Sequence, residues 1–394
     1  MSMVRRFENS EPGQISRIRI LHVLSDKYRR IRPLENLVNG LDRGMFSQVV
    51  CYLRGHDKVR TELDKLGHDV ITLDISKTKL RKFQPWAVLQ LAKIIKERGI
   101  DIVHCQRHKS TVYGTLAAYM VGKQVKVIGH VRGLHRTRNF KRRLLNRILF
   151  GRISRIIAVS DAVHDDIIRN NFKSFAAKAV TLYNGIDVNP FLDSNLTREA
   201  AGTRLGIPDK RVLIYGTVGR LAETKGQGIL LKAFARVKKK YPESWLILTG
   251  EGRLESGLRE LATELNIHER VTFLGYRNDI PDVMKAYDVF VLPSIAEGLP
   301  GALLEAMAAG LPVIASQVGG VPEILNIPNA GTMVSPSSVD ELANAMERLG
   351  SMDEAERNDI GKALRERVLK KFTKEKMISA ISKEYVAIMN EPSL

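Results

Sequence analysis

Short apolar runs rich in Val and Ile recur along the first half of the chain, each about as long as one buried strand. They are RIRILHVL from Arg17, QVVCYL from Gln48, HDVITL from His68, IDIVHC from Ile100, VKVIGH from Val125 and RIIAVS from Arg155. Segments with helical spacing lie between them. In the segment from Pro85 to Arg98 one face is predicted to hold Val88, Leu89, Leu91, Ala92 and Ile95. This alternation of strand and helix predicts a parallel, doubly wound α/β sheet.

The same alternation restarts after YNGIDVNPF (Tyr183 to Phe191) and a polar stretch, with RVLIYGTVG, WLILTG, RVTFLG, DVFVLPS and LPVIAS. We therefore predict two domains, residues 1–190 and 191–371. Residues 372–394 are predicted to form a closing amphipathic helix that packs back toward the first domain, with an apolar side of Met377, Ile378, Ile381 and Tyr385. Because α/β folds place ligands at the carboxyl ends of their strands, a binding cleft is expected between the two domains.

Composition places the chain among ordinary globular proteins, since 44% of its 394 residues are hydrophobic and 27% are charged. Its two cysteines, Cys51 and Cys105, have neither disulfide-framework nor zinc-site spacing. No apolar run reaches the roughly 20 residues of a membrane-spanning helix, and the N-terminus lacks the apolar core of a signal peptide. These features predict a cytoplasmic protein.

Charge is divided unequally between the two halves. Residues 1–190 carry 36 Lys and Arg against 16 Asp and Glu, whereas residues 191–394 carry 26 against 27. The first half therefore presents a positive field, which predicts an anionic partner such as acidic lipid or nucleic acid.

Two stretches of the second half have residue types suited to binding a phosphorylated sugar. In AEGLPGALLEAMAAGLPVIAS, Glu297 lies in a loop after a strand and Glu305 lies within the following helix. Gly298 permits close backbone approach, and the free N–H groups of the first helical turn bind oxygens. In GTVGRLAETKGQG, Arg220 and Lys225 precede a helix, and two cations at such a position suit a diphosphate.

Each stretch also has a purely structural explanation. Two glutamates at this spacing recur by chance, and basic residues after a strand often form only a solvated loop. GTVGRL follows a strand but lacks the G-x-G-x-x-G spacing of dinucleotide sites, which disfavours a nicotinamide cofactor.

Taken together, these stretches resemble glycosyltransferase family 4, the retaining enzymes of the GT-B fold, which consists of two Rossmann-like doubly wound domains facing a cleft. The resemblance covers nearly the whole chain. It is most specific in VGRL with Lys225 and Gly226, in LTGEG, in VTFLGY, in the Glu297 to Glu305 box, and in the downstream GLPVIAS and VGGVPEIL.

The resemblance implies a role for each matching residue. Arg220 and Lys225 would clamp the donor diphosphate, Glu297 would hold hydroxyls of the donor sugar, and Glu305 would hold the ribose. His130 matches the first-domain histidine beside the reacting sugar, although a histidine at a strand end can also cap the neighbouring loop. Donor binding is further assigned to Gly219, Gly250, Tyr276, Gly298 and Leu299.

One loop departs from the family pattern. Family members commonly carry a Gly-Gly pair after the first strand, whereas this chain reads SDKYRRIRPLENLVNGL from Ser25, with Tyr28 and Arg29 near those positions. Either a basic side chain, Arg29 or Arg30, replaces the amide contacts, or the loop is displaced.

The implied activity is transfer of a hexosyl group from a nucleotide-diphosphate sugar to a lipid-linked or lipopolysaccharide-type acceptor at the inner membrane surface. A sugar-nucleotide epimerase or a phosphorylase of the same fold is an alternative. A basic nucleic-acid-binding protein is another, although aromatic residues make up only 6% of the chain and no nucleic-acid motif occurs.

No Asp-x-Asp metal motif accompanies the donor residues, so Arg220 and Lys225 are expected to replace a divalent cation. We predict that sugar transfer persists in excess EDTA, measured as release of nucleoside diphosphate. Complete loss of turnover, restored by Mg²⁺ or Mn²⁺, would contradict this prediction.

The densest basic segment, residues 123–155, holds eleven Lys and Arg and no Asp or Glu. Within it FKRRLLNRILFGRI is predicted to form an amphipathic helix on an anionic membrane, although its apolar side could equally pack on the first domain. Each basic residue near an anionic leaflet contributes about 1 kcal/mol of attraction. We predict salt-sensitive binding to vesicles that contain anionic lipid, weakened by Gln at four positions: Arg138, Lys141, Arg142 and Arg143. Equal sedimentation with neutral and anionic vesicles would contradict it.

Overall fold

The protein is described by a computed structural model over residues 17–28, 30–56, 58–134, 144, 146, 147, 149, 151–170, 173–207 and 212–391. These residues form two compact units. One comprises the residues up to Gly185 together with those from Lys374 onward, and the other runs from Ile186 to Thr373.

The first unit is built on a parallel sheet whose strand order is β3-β2-β1-β4-β5-β6-β7. The strands are β1 (Ile18–Leu24), β2 (Phe46–Tyr52), β3 (Asp69–Thr72), β4 (Ile102–Gln106), β5 (Lys126–Val131), β6 (Arg155–Ala158) and β7 (Ala179–Thr181). Its helices are α1 (Arg32–Gly40), α2 (Glu62–Lys65), α3 (Pro85–Glu97), α4 (Arg107–Val121), α5 (Asp161–Asn170) and the C-terminal helix (Lys374–Asn390). From β1 the chain adds β2 and β3 on one side of the sheet and β4 to β7 on the other, so the direction of strand addition reverses between β1 and β4.

Helix α3 corrects one detail of the predicted pattern. Val88, Leu91 and Ile95 are buried as expected, but Leu89 is 54% exposed. A helix turns by about 100° per residue, so Leu89 lies about 100° from Val88, on the side away from the other two. Ala87, the residue before Val88, is fully buried instead.

The C-terminal helix belongs to the core of the first unit. Its buried side chains pack with those of α1 and of the central strands, and they are Met377, Ile381, Tyr385 and Ile388. Ile378 is partly buried and lies so close to Gly40 of α1 that any larger residue at Gly40 would displace it.

The second unit contains another parallel sheet, with the order β10-β9-β8-β11-β12-β13. Its strands are β8 (Ile214–Val218), β9 (Trp245–Thr249), β10 (Val271–Gly275), β11 (Val289–Leu292), β12 (Val313–Ser316) and β13 (Thr332–Val334). The helices are α6 (Asn189–Leu192), α7 (Arg198–Arg204), α8 (Gln227–Lys240), α9 (Glu255–Glu264), α10 (Ile280–Lys285), α11 (Gly301–Ala308), α12 (Val321–Leu325), α13 (Val339–Ser351) and α14 (Glu354–Lys371). The reversal between β8 and β11 makes their carboxyl ends the expected ligand position.

Asp288, immediately before β11, fixes the amino ends of these two central strands. Its Oδ1 accepts a 2.7 Å bond from Nε of Arg198 and its Oδ2 accepts a 2.7 Å bond from Nη2. The Ile214 amide at the start of β8 also donates to Oδ2, at 2.7 Å. One carboxylate therefore aligns both strands whose opposite ends carry the loops described below.

We predict that Asp288→Asn lowers the free energy of unfolding of the second unit by about 1.5–3 kcal/mol, because an amide has one acceptor oxygen for three donors and turns an NH₂ group toward the rest. Urea unfolding reported by Trp245 fluorescence in a Trp86→Phe background measures it. The matched control is Asp340→Asn, whose carboxylate bonds Arg236 but is 85% exposed, and which should cost below about 1 kcal/mol. Equal losses in the two variants would contradict the role of Asp288.

Candidate active site

The residues singled out in the second half of the sequence follow the carboxyl ends of its parallel strands. Gly219 and Arg220 follow β8, Gly250 follows β9, Tyr276 follows β10, and Glu297 follows β11. Since the central pair β8 and β11 marks the reversal of strand order, the loops after these two strands border the crevice typical of doubly wound folds.

The loop after β8 ends in a tight turn at Gly226, which packs directly on the end of β11. Gly226 has φ 67°, a left-handed conformation, and a Cβ there would lie 1.9 Å from the carbonyl oxygen of Pro293. The carbonyl of Thr224 accepts a 2.9 Å hydrogen bond from the amide of Ile295. The backbone itself therefore joins the two loops, and only glycine fits at the junction.

This junction brings Lys225 and Glu297 together. Lys225 Nζ lies 2.5 Å from Glu297 Oε1, and the hydroxyl of Ser294 donates to the same oxygen at 2.7 Å. The side chain of Glu297 is only 9% exposed and that of Lys225 is 25% exposed. Sequence reasoning gave the two residues separate contacts and missed Ser294, because a serine at a strand end has no distinguishing pattern.

Arg220 differs from Lys225 in having an exposed side chain. Among the described residues its guanidinium has no ion-pair partner, whereas its carbonyl accepts a 3.0 Å hydrogen bond from Nε2 of Gln227. The backbone of Arg220 is thus fixed against the start of α8 while its charge remains available.

Helix α11 begins next to Glu297, and no side chain caps it. Its N-cap residue is Pro300, which has no hydroxyl or carboxylate to accept from the first amides. Gly298 and Leu299 are buried, and the carbonyl of Gly298 accepts a 2.9 Å bond from the amide of Gly320. Glu305 lies one turn into the helix and is 9% exposed. The arrangement offers main-chain N–H groups between two carboxylates.

The loops after β8 and β9 touch through their glycines. Gly250 has φ 132°, and a Cβ there would lie 2.1 Å from the carbonyl oxygen of Gly219. The Gly250 amide donates to the carbonyl of Gly275 at 2.8 Å. Tyr276 follows directly and is 58% exposed. Gly219, Gly250 and Tyr276 therefore lie together at the carboxyl ends of neighbouring strands of the same sheet.

His130 lies in the first unit, at the end of β5, and is 1% exposed. Its Nδ1 is 3.2 Å from Nε2 of His104, and its own Nε2 is buried without a hydrogen-bond partner. Burial, with the charge of Arg132 and the ring of His104, holds the pKa of His130 well below its usual value, so the ring is neutral. Sequence reasoning missed His104, although a polar residue in the apolar run IDIVHC was a usable signal.

The loop after β1 is occupied by internal contacts. The Tyr28 amide donates to Oδ1 of Asp26 at 3.1 Å, and the guanidinium of Arg54 lies 4.9 Å from the centre of the Tyr28 ring. Arg54 also bonds Oδ2 of Asp26 at 2.8 Å. Arg29 lies outside the described residues.

The structure does not test the predicted membrane surface. The basic residues Arg138, Lys141, Arg142 and Arg143 lie outside the described residues. Within the described part of the chain, no three His, Cys, Asp or Glu side chains form a group that could hold a metal ion. In that same part, every helix is either too short or too polar to cross a bilayer.

Two family models match the chain in succession. The model described as Glycosyltransferase Family 4 matches residues 34–190, and the model described as Glycosyl transferases group 1 matches residues 199–367. Among curated relatives, the putative glycosyltransferase EpsF of Bacillus subtilis is 31% identical over 314 residues, which are 76% of this chain and 79% of the relative.

A further relative is the Escherichia coli UDP-Gal:alpha-D-GlcNAc-diphosphoundecaprenol alpha-1,3-galactosyltransferase, 27% identical over 311 residues, or 76% of this chain and 79% of the relative. Among solved structures, Anabaena Alr3699/HepE in complex with UDP has a TM-score of 0.79 at 23% identity and covers 94% of this chain and 99% of its own. A glycosyltransferase from Rickettsia africae has a TM-score of 0.80 at 21% identity, with coverages of 96% and 100%. The two α/β units have the GT-B fold, and the chain belongs to glycosyltransferase family 4.

Proposed function

We propose that the protein is a retaining, metal-independent hexosyltransferase that moves a sugar from a nucleotide-diphosphate donor to a lipid-linked or lipopolysaccharide-type acceptor in cell-envelope polysaccharide synthesis. The observation that carries the proposal is the Lys225 and Glu297 pair, held between the two central loops of the second unit beside the uncapped start of α11. A nucleotide-sugar donor presents a diphosphate and the hydroxyls of its sugar and ribose. Cations and the first amides of a helix bind phosphate oxygens, and carboxylates accept from hydroxyls.

The diphosphate is the part that Arg220 and Lys225 bind in this proposal. Arg220 is exposed without an ion-pair partner in the described chain, so binding a phosphate breaks no ion pair of its guanidinium. Lys225 already has Glu297 at 2.5 Å, and that carboxylate holds its ammonium in place. A cation positioned in advance stabilises the charge of a leaving diphosphate without reorganisation during the reaction.

The sugar and the ribose are the parts assigned to the carboxylates. Oε1 of Glu297 contacts Lys225, and its carboxylate retains oxygen lone pairs that accept from sugar hydroxyls. Glu305, one turn into α11, is assigned to the ribose. His130 of the first unit is assigned to the reacting sugar, for which its buried, unpartnered Nε2 is suited.

The reaction we propose needs no covalent enzyme intermediate. The bond between C1 of the sugar and the diphosphate oxygen breaks, and its electron pair leaves with the nucleoside diphosphate. The acceptor hydroxyl attacks C1 from the same face, and its proton passes to the departing phosphate oxygen. Retention follows from attack on the face that the diphosphate leaves, and positioning supplies most of the rate enhancement.

A membrane-held acceptor is supported by charge and by an exposed surface of the first unit. Before and within the start of α3, three exposed basic side chains are followed by two exposed aromatic ones, and they are Lys79, Arg81, Lys82, Phe83 and Trp86. Aromatic and basic side chains together favour a lipid headgroup surface. The named Escherichia coli relative acts on a diphosphoundecaprenol-linked sugar, which is consistent with an acceptor at the cytoplasmic face of the inner membrane.

Turnover of a panel of uridine, guanosine and adenosine diphosphate sugars, with thermal stabilisation by each nucleotide, tests the proposal. A ligand at 100 times its Kd adds about 2.7 kcal/mol of stability. Stabilisation by none of the nucleotides, with no turnover of any donor, would contradict a transferase.

We predict that Arg220→Ala and Lys225→Ala each lower turnover about 100-fold, because each removes a cation that stabilises the leaving diphosphate. Steady-state rates with the best donor measure this effect. Lys239→Ala, which removes an exposed charge on α8, is the matched control and should retain full activity. Near-normal rates in both site variants would refute the assignment of the diphosphate contact.

We also predict that Glu297→Gln impairs donor use more than Glu305→Gln. The first substitution removes an acceptor near the reacting sugar and leaves Lys225 without its carboxylate, whereas the second affects only the distant ribose. The comparison requires kcat and KM for the donor in both variants. Small, equal effects would mean that the carboxylates serve the fold of the loop alone.

A further inference from the structure

Three buried histidines lie side by side on neighbouring strands of the first unit: His22 on β1, His104 on β4 and His130 on β5. Their exposures are 0%, 0% and 1%. His22 is in register with His104, and Gln106 is in register with His130. Buried polar groups of this kind must satisfy one another, so their hydrogen bonds determine which ring nitrogens carry protons.

The guanidinium of Arg132 can only donate hydrogen bonds. Its Nε and Nη2 lie 2.9 and 2.8 Å from the same atom of Gln106, and its Nη1 lies 2.9 Å from Oδ1 of Asn184. An NH₂ group could not receive two guanidinium donors, so this atom of Gln106 is the amide oxygen. The other atom of the amide is therefore the nitrogen, which only donates.

The amide nitrogen of Gln106 lies 3.2 Å from Nε2 of His104. Because that contact needs an acceptor, Nε2 of His104 carries no proton. Burial holds the pKa of His104 well below its usual value, so the ring is neutral and its single proton is on Nδ1. This proton is donated to the hydroxyl oxygen of Tyr385 on the C-terminal helix, at 2.6 Å.

The same unprotonated nitrogen of His104 lies 3.2 Å from Nδ1 of His130, and the two rings are inclined by only 2°. Two lone pairs would repel at this distance, so Nδ1 of His130 carries the proton and donates it to the single lone pair of His104 Nε2, which it shares with the Gln106 amide. The buried Nε2 of His130 is then a bare lone pair.

We propose that Arg132, Gln106, His104 and Tyr385 are positioning residues that fix His130 as the tautomer protonated on Nδ1, so that its Nε2 accepts a hydrogen bond from a sugar hydroxyl. This inference rests on the proposed function for its substrate, but the tautomer itself belongs to the free protein. It assigns a hydroxyl, and not a carbonyl or carboxylate oxygen, as the group of the donor that faces His130.

The tautomer is measured directly in the ligand-free chain by long-range proton–nitrogen correlation spectra of protein labelled with ¹⁵N-histidine. The chain has 9 histidines, and a His130→Gln variant identifies the signals of His130. We expect a neutral ring with the proton on Nδ1. A proton on Nε2, or a charged ring at neutral pH, would overturn the inference.

Gln106→Glu tests the cause. A carboxylate accepts at both oxygens, so it draws a proton to Nε2 of His104 and removes the acceptor for His130. We expect the His130 signal to change to the other tautomer and kcat to fall about tenfold, with a smaller change in donor KM. Unchanged His130 signals in a folded variant would overturn the proposed cause.

Gln48→Glu is the control, because it puts a carboxylate beside a different buried histidine: Oε1 of Gln48 lies 3.2 Å from Nε2 of His22. His22 lies on β1, and β4 with His104 separates it from His130 on β5. This variant should leave both the His130 spectrum and kcat unchanged. If His130 is protonated on Nδ1 but the protein turns over no nucleotide sugar, this inference is supported. That result contradicts only the proposed function. The opposite tautomer in an active enzyme overturns this inference alone.

Discussion

The contact between the Gly226 turn and the end of β11 is the constraint on which the second unit's site depends. A Cβ at Gly226 would lie 1.9 Å from the Pro293 carbonyl oxygen, and Thr224 shares a hydrogen bond with Ile295 beside it. This backbone contact sets the distance between the two central loops before any side chain is considered. Lys225 and Glu297 then meet because each lies one to four residues from the contact, and Asp288 aligns the same two strands at their other ends.

In the first unit the candidate residue is a neutral histidine, His130, which is buried among other polar groups. Here orientation comes from a chain of hydrogen bonds that begins at a permanent donor, Arg132, and passes through Gln106 and His104. The C-terminal helix contributes Tyr385 to this chain, although it is separated from His104 by 281 residues of sequence. The last helix is thus part of the first unit's polar core as well as its apolar core.

Much of this organisation could be predicted from the sequence because it depends on local pattern. The apolar runs gave the α/β class and the two sheets, and the ordered motifs of the second half gave the family. The prediction that Leu89 is buried was wrong. Five residues between positions 88 and 95 cover a wider arc of a helix with 3.6 residues per turn than its buried side.

What the sequence could not provide are contacts between distant residues. Ser294 beside Glu297 and Gln106 beside His104 become informative only when strand register brings their atoms within hydrogen-bond distance. The same limit applies to the pairing of Lys225 with Glu297, which are 72 residues apart in the chain.

The central claim is that the loops after β8 and β11 bind the diphosphate of a nucleotide sugar. Hydrogen exchange of the whole chain, followed by mass spectrometry with and without a saturating nucleoside diphosphate, tests it most directly. The account predicts slower exchange in peptides that cover residues 219–227 and 297–304, because the first-turn amides of α11 bind the phosphate and both loops open less often when it is bound. Unchanged exchange in both segments, at a nucleotide concentration that calorimetry shows to be saturating, would contradict it.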